Sequence, residues 1–128
     1  MRLAAKLIAA VEISASASHQ HEFNAGQLRV ALGLPKDRTE GELEIVYAGA
    51  DGEDSAGESC GYTLYDSRAG KPRSAEYRLY FDSTELQSNA APGDILIVVR
   101  PDESLNLKAL IVPQGSGTGK AVAAMLRA

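Results

Sequence analysis

Tryptophan is absent from this sequence, cysteine occurs once, and histidine occurs twice. The lone Cys60 cannot close an internal disulfide, so packing alone must hold the fold, and a reducing, cytoplasmic setting is expected. No apolar run reaches the roughly 18 residues that a membrane-spanning helix needs. The opening MRLAAKLIAAVEIS places an apolar stretch behind Arg2 and Lys6. Glu12 interrupts it and no clear small-residue cleavage site follows, so a signal peptide is not expected. His19 and His21 stand two apart with no evident Cys, His or acid cluster beside them, which argues against a metal site.

Three chemical motifs are incomplete. GSGTGK resembles a phosphate-binding loop, but Gln114 stands where the first glycine belongs and Ala121 follows the lysine where Ser or Thr should meet magnesium. Pro101-Asp102 hints at a metal-dependent nuclease core, yet Asn106-Leu107-Lys108 carries an amide in place of the carboxylate such a core requires. Cys60 has no evident activating base and reads as a strand thiol. No catalytic residue, metal or cofactor is therefore expected.

What the chain does contain suits one soluble domain, residues 1–128. It is 45% hydrophobic and 23% charged, and a chain this long buries roughly two thirds of its unfolded surface. Net charge is −4, but the charge is segregated. Asp37 to Glu58 holds eight acids and one base, for −7, whereas Arg68 to Arg78 holds four bases and one acid, for +3. An anionic partner responds to the local potential of one face, not to the sum over the chain.

Apolar patterning predicts about six strands and two short helices. Lys6 to Ser14 reads as a strand, and Ser14 to His21 (SASASHQH) as a polar loop or extended arm. Asn24 is placed to cap a helix from Ala25 to Leu32, with Leu28, Ala31 and Leu32 on its buried side and Gly33 and Pro35 ending it. Gly41–Tyr47 alternates charged and apolar residues, as a half-buried strand does. Cys60–Ser67 and the AEYRLYFDS segment form a pair of strands around the Gly/Pro loop RAGKPR. DILIVVRPD reads as a strand buried on both faces, LNLKALIVP as its partner, and KAVAAMLRA as a closing helix. No βαβ alternation is present, so the expected architecture is a mainly β, antiparallel open barrel.

Two segments carry recognition chemistry. In Tyr65 to Phe81, four cations sit on the Gly/Pro loop and the strand leaving it. Arginine can fork onto guanine O6 and N7, lysine and backbone N–H groups hold phosphates, and Glu76 can accept from cytosine N4 or orient an arginine. Tyr65, Tyr77 and Tyr80 can stack or hydrogen-bond. SASASHQH offers small donors and acceptors suited to a groove. Taken separately, each has a plain alternative: a solvated basic hairpin and a polar linker.

The HQ pair before a short helix, followed by YDSR–GK–R–E–R leading into a strand, resembles the N-terminal effector domain of EcoRII-type restriction endonucleases. The likeness extends through GDILIVVRPD and LKALIVPQGS to the terminal helix. His21-Glu22-Phe23 departs from that pattern. The resemblance implies a B3-like DNA-binding pseudobarrel, shared with plant B3 transcription-factor domains, in which two arms grip the major groove. Carried across, one arm is Ser16, Ser18, His19 and Gln20, and the other is Arg68, Lys71, Arg73, Glu76 and Arg78.

The implied function is sequence-specific recognition of a short double-stranded DNA site of about five base pairs. It would be the site-reading domain of a type II enzyme in a bacterial restriction-modification system, monomeric in isolation and without nuclease chemistry of its own. In that family a catalytic domain usually follows. The rival reading is a small β-barrel protein–protein interaction module that uses its acidic loop and binds no DNA.

Overall fold

The computed structural model describes residues 1–9, 12, 22–48, 57–82 and 90–117. They form strands β1 (Arg2–Leu7), β2 (Glu22–Asn24), β3 (Thr39–Tyr47), β4 (Glu58–Asp66), β5 (Tyr77–Phe81), β6 (Ile95–Arg100) and β7 (Leu107–Val112), with one helix, α1 (Gly26–Leu32). The strands make a single sheet, β1-β6-β7-β3-β4-β5-β2, curled into an open half-barrel. β1 and β2 are its two edges and do not pair with each other.

Period-two patterning decides which face each strand buries. In β3, Leu43, Ile45 and Tyr47 point into the core while Glu40, Glu42 and Glu44 are exposed. In β5, Leu79 and Phe81 are buried and Tyr80 is exposed. In β6, Ile95, Leu96, Val98 and Arg100 are buried, and Ile97 and Val99 are half-buried. The inner face closes on Phe23, Tyr62, Leu64, Leu43 and Leu107, with the Phe23 and Phe81 rings 4.8 Å apart.

Helix α1 packs against β1, β5 and β6, and so spans the seam that the open sheet leaves. Its apolar side, Leu28 and Leu32, enters the core. Gly33, at φ 64°, ends it in the left-handed conformation that glycine adopts without steric cost. Arg100 secures that end. Its Nη1 donates to the Leu32 and Gly33 carbonyls at 3.1 and 3.0 Å, its Nε to Ser104 O at 2.8 Å, and its Nη2 to Glu103 O at 2.9 Å. One buried guanidinium thus satisfies carbonyls of a helix terminus and of the β6–β7 turn.

The two sheet edges are joined through one carboxylate. Glu12 is 3% exposed. It accepts the Lys6 ammonium from β1, the Ala9 N–H at 2.7 Å, and the Asn24 N–H of β2 at 2.7 Å. Three donors surround the charge, which is what a buried carboxylate requires.

Several expectations change. The first strand is Arg2–Leu7, not Lys6–Ser14, because it aligns Arg2 with Arg100 and Leu7 with Ile95. Ile8 then leaves the strand, exchanging backbone hydrogen bonds with Gly93 and Asp94. Asn24 ends strand β2, and its Oδ1 meets the Gly26 N–H at 3.4 Å; Ala25 occupies the helix cap position without a side-chain bond. Ala31 is exposed, not buried. The sheet is also not wholly antiparallel, since β3 and β7 pair in parallel from Leu43↔Leu107 to Tyr47↔Ile111. The expected closing helix, KAVAAMLRA, lies outside the described residues.

Candidate nucleic-acid interface

The β4–β5 hairpin carries the basic segment. Its register sets Tyr65 opposite Arg78 and Asp66 opposite Tyr77. The connecting loop is tied at its base by Asp66, whose Oδ1 accepts the Arg68 N–H at 2.9 Å and the Glu76 N–H at 2.8 Å. The Ser67 N–H and hydroxyl both donate to Glu76 O, at 2.8 and 3.1 Å. An aspartate that bonds backbone two residues ahead is a strong turn-former. Gly70, at φ 76°, supplies the left-handed residue that turns the loop.

Tyr65, Ser67, Arg68, Lys71, Pro72, Arg73, Glu76 and Arg78 line one open cleft of about 520 Å³. All five expected residues of this arm are therefore gathered in one place. Their environments differ. Glu76 Oε2 binds Arg68 Nη2 at 2.7 Å and Oε1 binds Arg78 Nη2 at 2.5 Å. Of the two readings offered for Glu76, the geometry is that of a group orienting arginines. The Arg78 side chain is only 18% exposed, and its Nε is buried with no hydrogen-bond partner among the described residues. Lys71 and Arg73 are exposed, and neither has a salt bridge among the described residues.

Tyr65 reaches across β5. Its hydroxyl donates to the carboxylate of Glu22, the first residue of β2, which pairs with Tyr80. Burial, and then the Glu22 hydrogen bond and charge, push the Tyr65 phenol up to about 12. It stays a neutral donor at physiological pH. Tyr77 is committed elsewhere, with the Arg29 guanidinium 4.6 Å from its ring centroid. Tyr80 is 40% exposed on the outer face, beside Glu22.

The other expected arm, Ser16, Ser18, His19 and Gln20, lies outside the described residues, as does His21. Two contributors to the hairpin site were not singled out from sequence: Asp66, whose signal is an acidic residue opening a Gly/Pro loop, and Glu22, which carries no local signal. Among the described residues no group of three or more His, Cys, Asp or Glu side chains could hold a metal ion. Asp102 is exposed and accepts the Ser104 N–H at 2.8 Å, as a turn residue does. Among them too, no helix is long and apolar enough to cross a membrane.

No protein-family model, curated protein or solved structure matches the chain.

Proposed function

We propose that the chain is a double-stranded DNA reader of the B3-like pseudobarrel type, the site-recognition domain of a type II restriction endonuclease. The observation that carries this reading is the cationic hairpin cleft. Arg68, Lys71, Arg73 and Arg78 share it, and among the described residues Glu76 is the one carboxylate lining it. A two-stranded ribbon fits the major groove, where arginine discriminates base edges and free cations hold phosphates. A half-barrel with a hairpin projecting such a cleft is consistent with the pseudobarrel resemblance. The SASASHQH segment would supply the second arm.

A second reading has its own support. Glu40, Glu42 and Glu44 form an exposed row on the outer face of β3, which suits a basic protein partner.

Selection from a randomised duplex library, followed by gel shift of the enriched site, separates the two. The DNA reading expects a preferred duplex whose affinity falls as salt rises, because bound phosphates release counterions. Equal affinity for selected and random duplex, or tighter binding to a basic peptide blocked by Glu→Lys changes on β3, would sink it in favour of the interaction module.

A further inference from the structure

We infer that Arg68 is the guanine-reading side chain of the hairpin, that Glu76 and Arg78 are its positioning residues, and that Arg73 holds phosphate. The inference rests on the proposed DNA-binding function and assigns roles within it.

Discriminating a base edge requires a donor pair held in one direction before contact, because a flexible side chain follows whichever acceptor is near. Arg68 is held at both ends. Its backbone N–H is bonded to Asp66 Oδ1 at 2.9 Å, and its Nη2 is bonded to Glu76 Oε2 at 2.7 Å. Glu76 is itself held twice, by its N–H on Asp66 Oδ1 and by Arg78 Nη2 on its other oxygen. Arg78 closes the chain of supports from a half-buried position on β5.

A guanidinium carries five N–H donors. Arg68 gives Glu76 one nitrogen, and its side chain remains 36% exposed, so further donors face the cleft. Guanine, with O6 and N7 side by side as acceptors, is the base whose major-groove edge matches a fork of N–H groups. Arg78 is too enclosed to present a fork of its own. Arg73 lies on the exposed side of the loop, and nothing among the described residues fixes its direction. That suits a phosphate oxygen, which accepts from many angles and carries no sequence information.

The test uses the duplex enriched from a randomised library and its single-base-pair substitutions, each titrated at several salt concentrations. Arg68→Ala should weaken the enriched site by about 10–100-fold and level the preference at one G·C pair. Glu76→Gln keeps the side-chain shape but removes the charge. It should lose discrimination at that same pair while the salt slope stays unchanged, a pattern that general loosening of the hairpin would not give. Arg73→Ala should weaken all duplexes alike and lower the salt slope by about one. A melting temperature for each variant keeps folding separate from recognition.

Uniform loss for Arg68→Ala together with a flattened base pair for Arg73→Ala overturns the assignment and leaves the DNA reading intact. A wild-type chain that prefers no duplex overturns both.

Discussion

The carboxylate of Glu12 accepts the Asn24 backbone N–H at 2.7 Å while it holds the Lys6 ammonium. The two strands it joins, β1 and β2, are the ends of the sheet and share no ladder hydrogen bonds. Closure of the half-barrel at this point therefore rests on the Glu12 carboxylate together with the Lys6 ammonium, whose Nζ also donates to Asn24 O at 3.5 Å. Replacing Glu12 with alanine leaves the Asn24 and Ala9 N–H groups without their acceptor and Lys6 without its counter-ion. The expected cost is about 2–4 kcal/mol. Lys6→Met should cost less, because the Glu12 carboxylate keeps both backbone donors. Urea denaturation of the two variants checks the order, and equal losses would show that the ion pair alone matters.

Tyr65 predicts a pH dependence. Its phenol titrates at about 12 in the folded chain, above the roughly 10 of an unperturbed tyrosine. A group whose folded pKa is raised stabilises the fold while protonated, so the contribution is complete below pH 10 and is lost as pH rises from about 10 through about 12. Tyr65→Phe should be less stable than the wild type at neutral pH, with the gap closing above that window. NMR titration of the tyrosine ring carbons gives the direct reading. A Tyr65 that ionises near pH 10, like an unperturbed tyrosine, would show that the Glu22 hydrogen bond does not persist in solution.

Among the described residues, Arg100 bonds four backbone carbonyls and no carboxylate. Lysine keeps the charge but not the planar fork, so Arg100→Lys should lower stability by about 2–3 kcal/mol through carbonyls left unpaired at the end of α1. Amide exchange should then quicken at Gly33 and Leu34, whose N–H groups bond the Val30 and Arg29 carbonyls of that last turn. Unchanged exchange there would place the loss in the β6–β7 turn instead.

Gly41 sits under the ring of Tyr62. A Cβ at that position would lie 2.6 Å from Leu105 O and 2.7 Å from Tyr62 Cε1. The Tyr62 hydroxyl is anchored on that same carbonyl at 2.5 Å, so the ring has little freedom to give way. Gly41→Ala should cost about 2–3 kcal/mol by overpacking. Gly115→Ala, with open space around it, should stay within about 0.5 kcal/mol of the wild type. Thermal melts of the pair decide it, and similar values would mean that β3 shifts easily.

Asp102 separates turn chemistry from metal chemistry. Its hydrogen bonds with Ser104, first through the side chain and then the backbone, hold its carboxyl below the usual carboxylate range. A depressed pKa stabilises the fold above the unfolded pKa and ceases to do so as pH falls through the folded one. Asp102→Ala should therefore lose stability at neutral pH and match the wild type in acid. The chain should leave plasmid DNA uncut with magnesium present. Cleavage that co-purifies with the chain and vanishes in Asp102→Ala would overturn that expectation.

The sequence by itself determined what depends on neighbours a few residues apart. The alternation of Glu40, Glu42 and Glu44 with Leu43, Ile45 and Tyr47 made β3 legible, because a strand sends successive side chains to opposite faces. Tyr77, Leu79 and Phe81 did the same for β5. The cations from Arg68 to Arg78 were visible as a group because one hairpin loop carries them. The tertiary structure decided what depends on partners far along the chain. Glu22 meets Tyr65 across 43 residues and Arg100 meets Leu32 across 68. Glu12 read only as an interruption in an apolar run, yet curling of the sheet buries it between two edges. The parallel pairing of β3 with β7 and the start of β1 at Arg2 follow from strand register, which is a property of the partner strand. The division of labour among the arginines has the same origin. Composition counts four equivalent cations, and only the fold brings Glu76 against Arg68 and Arg78 and leaves Arg73 to solvent.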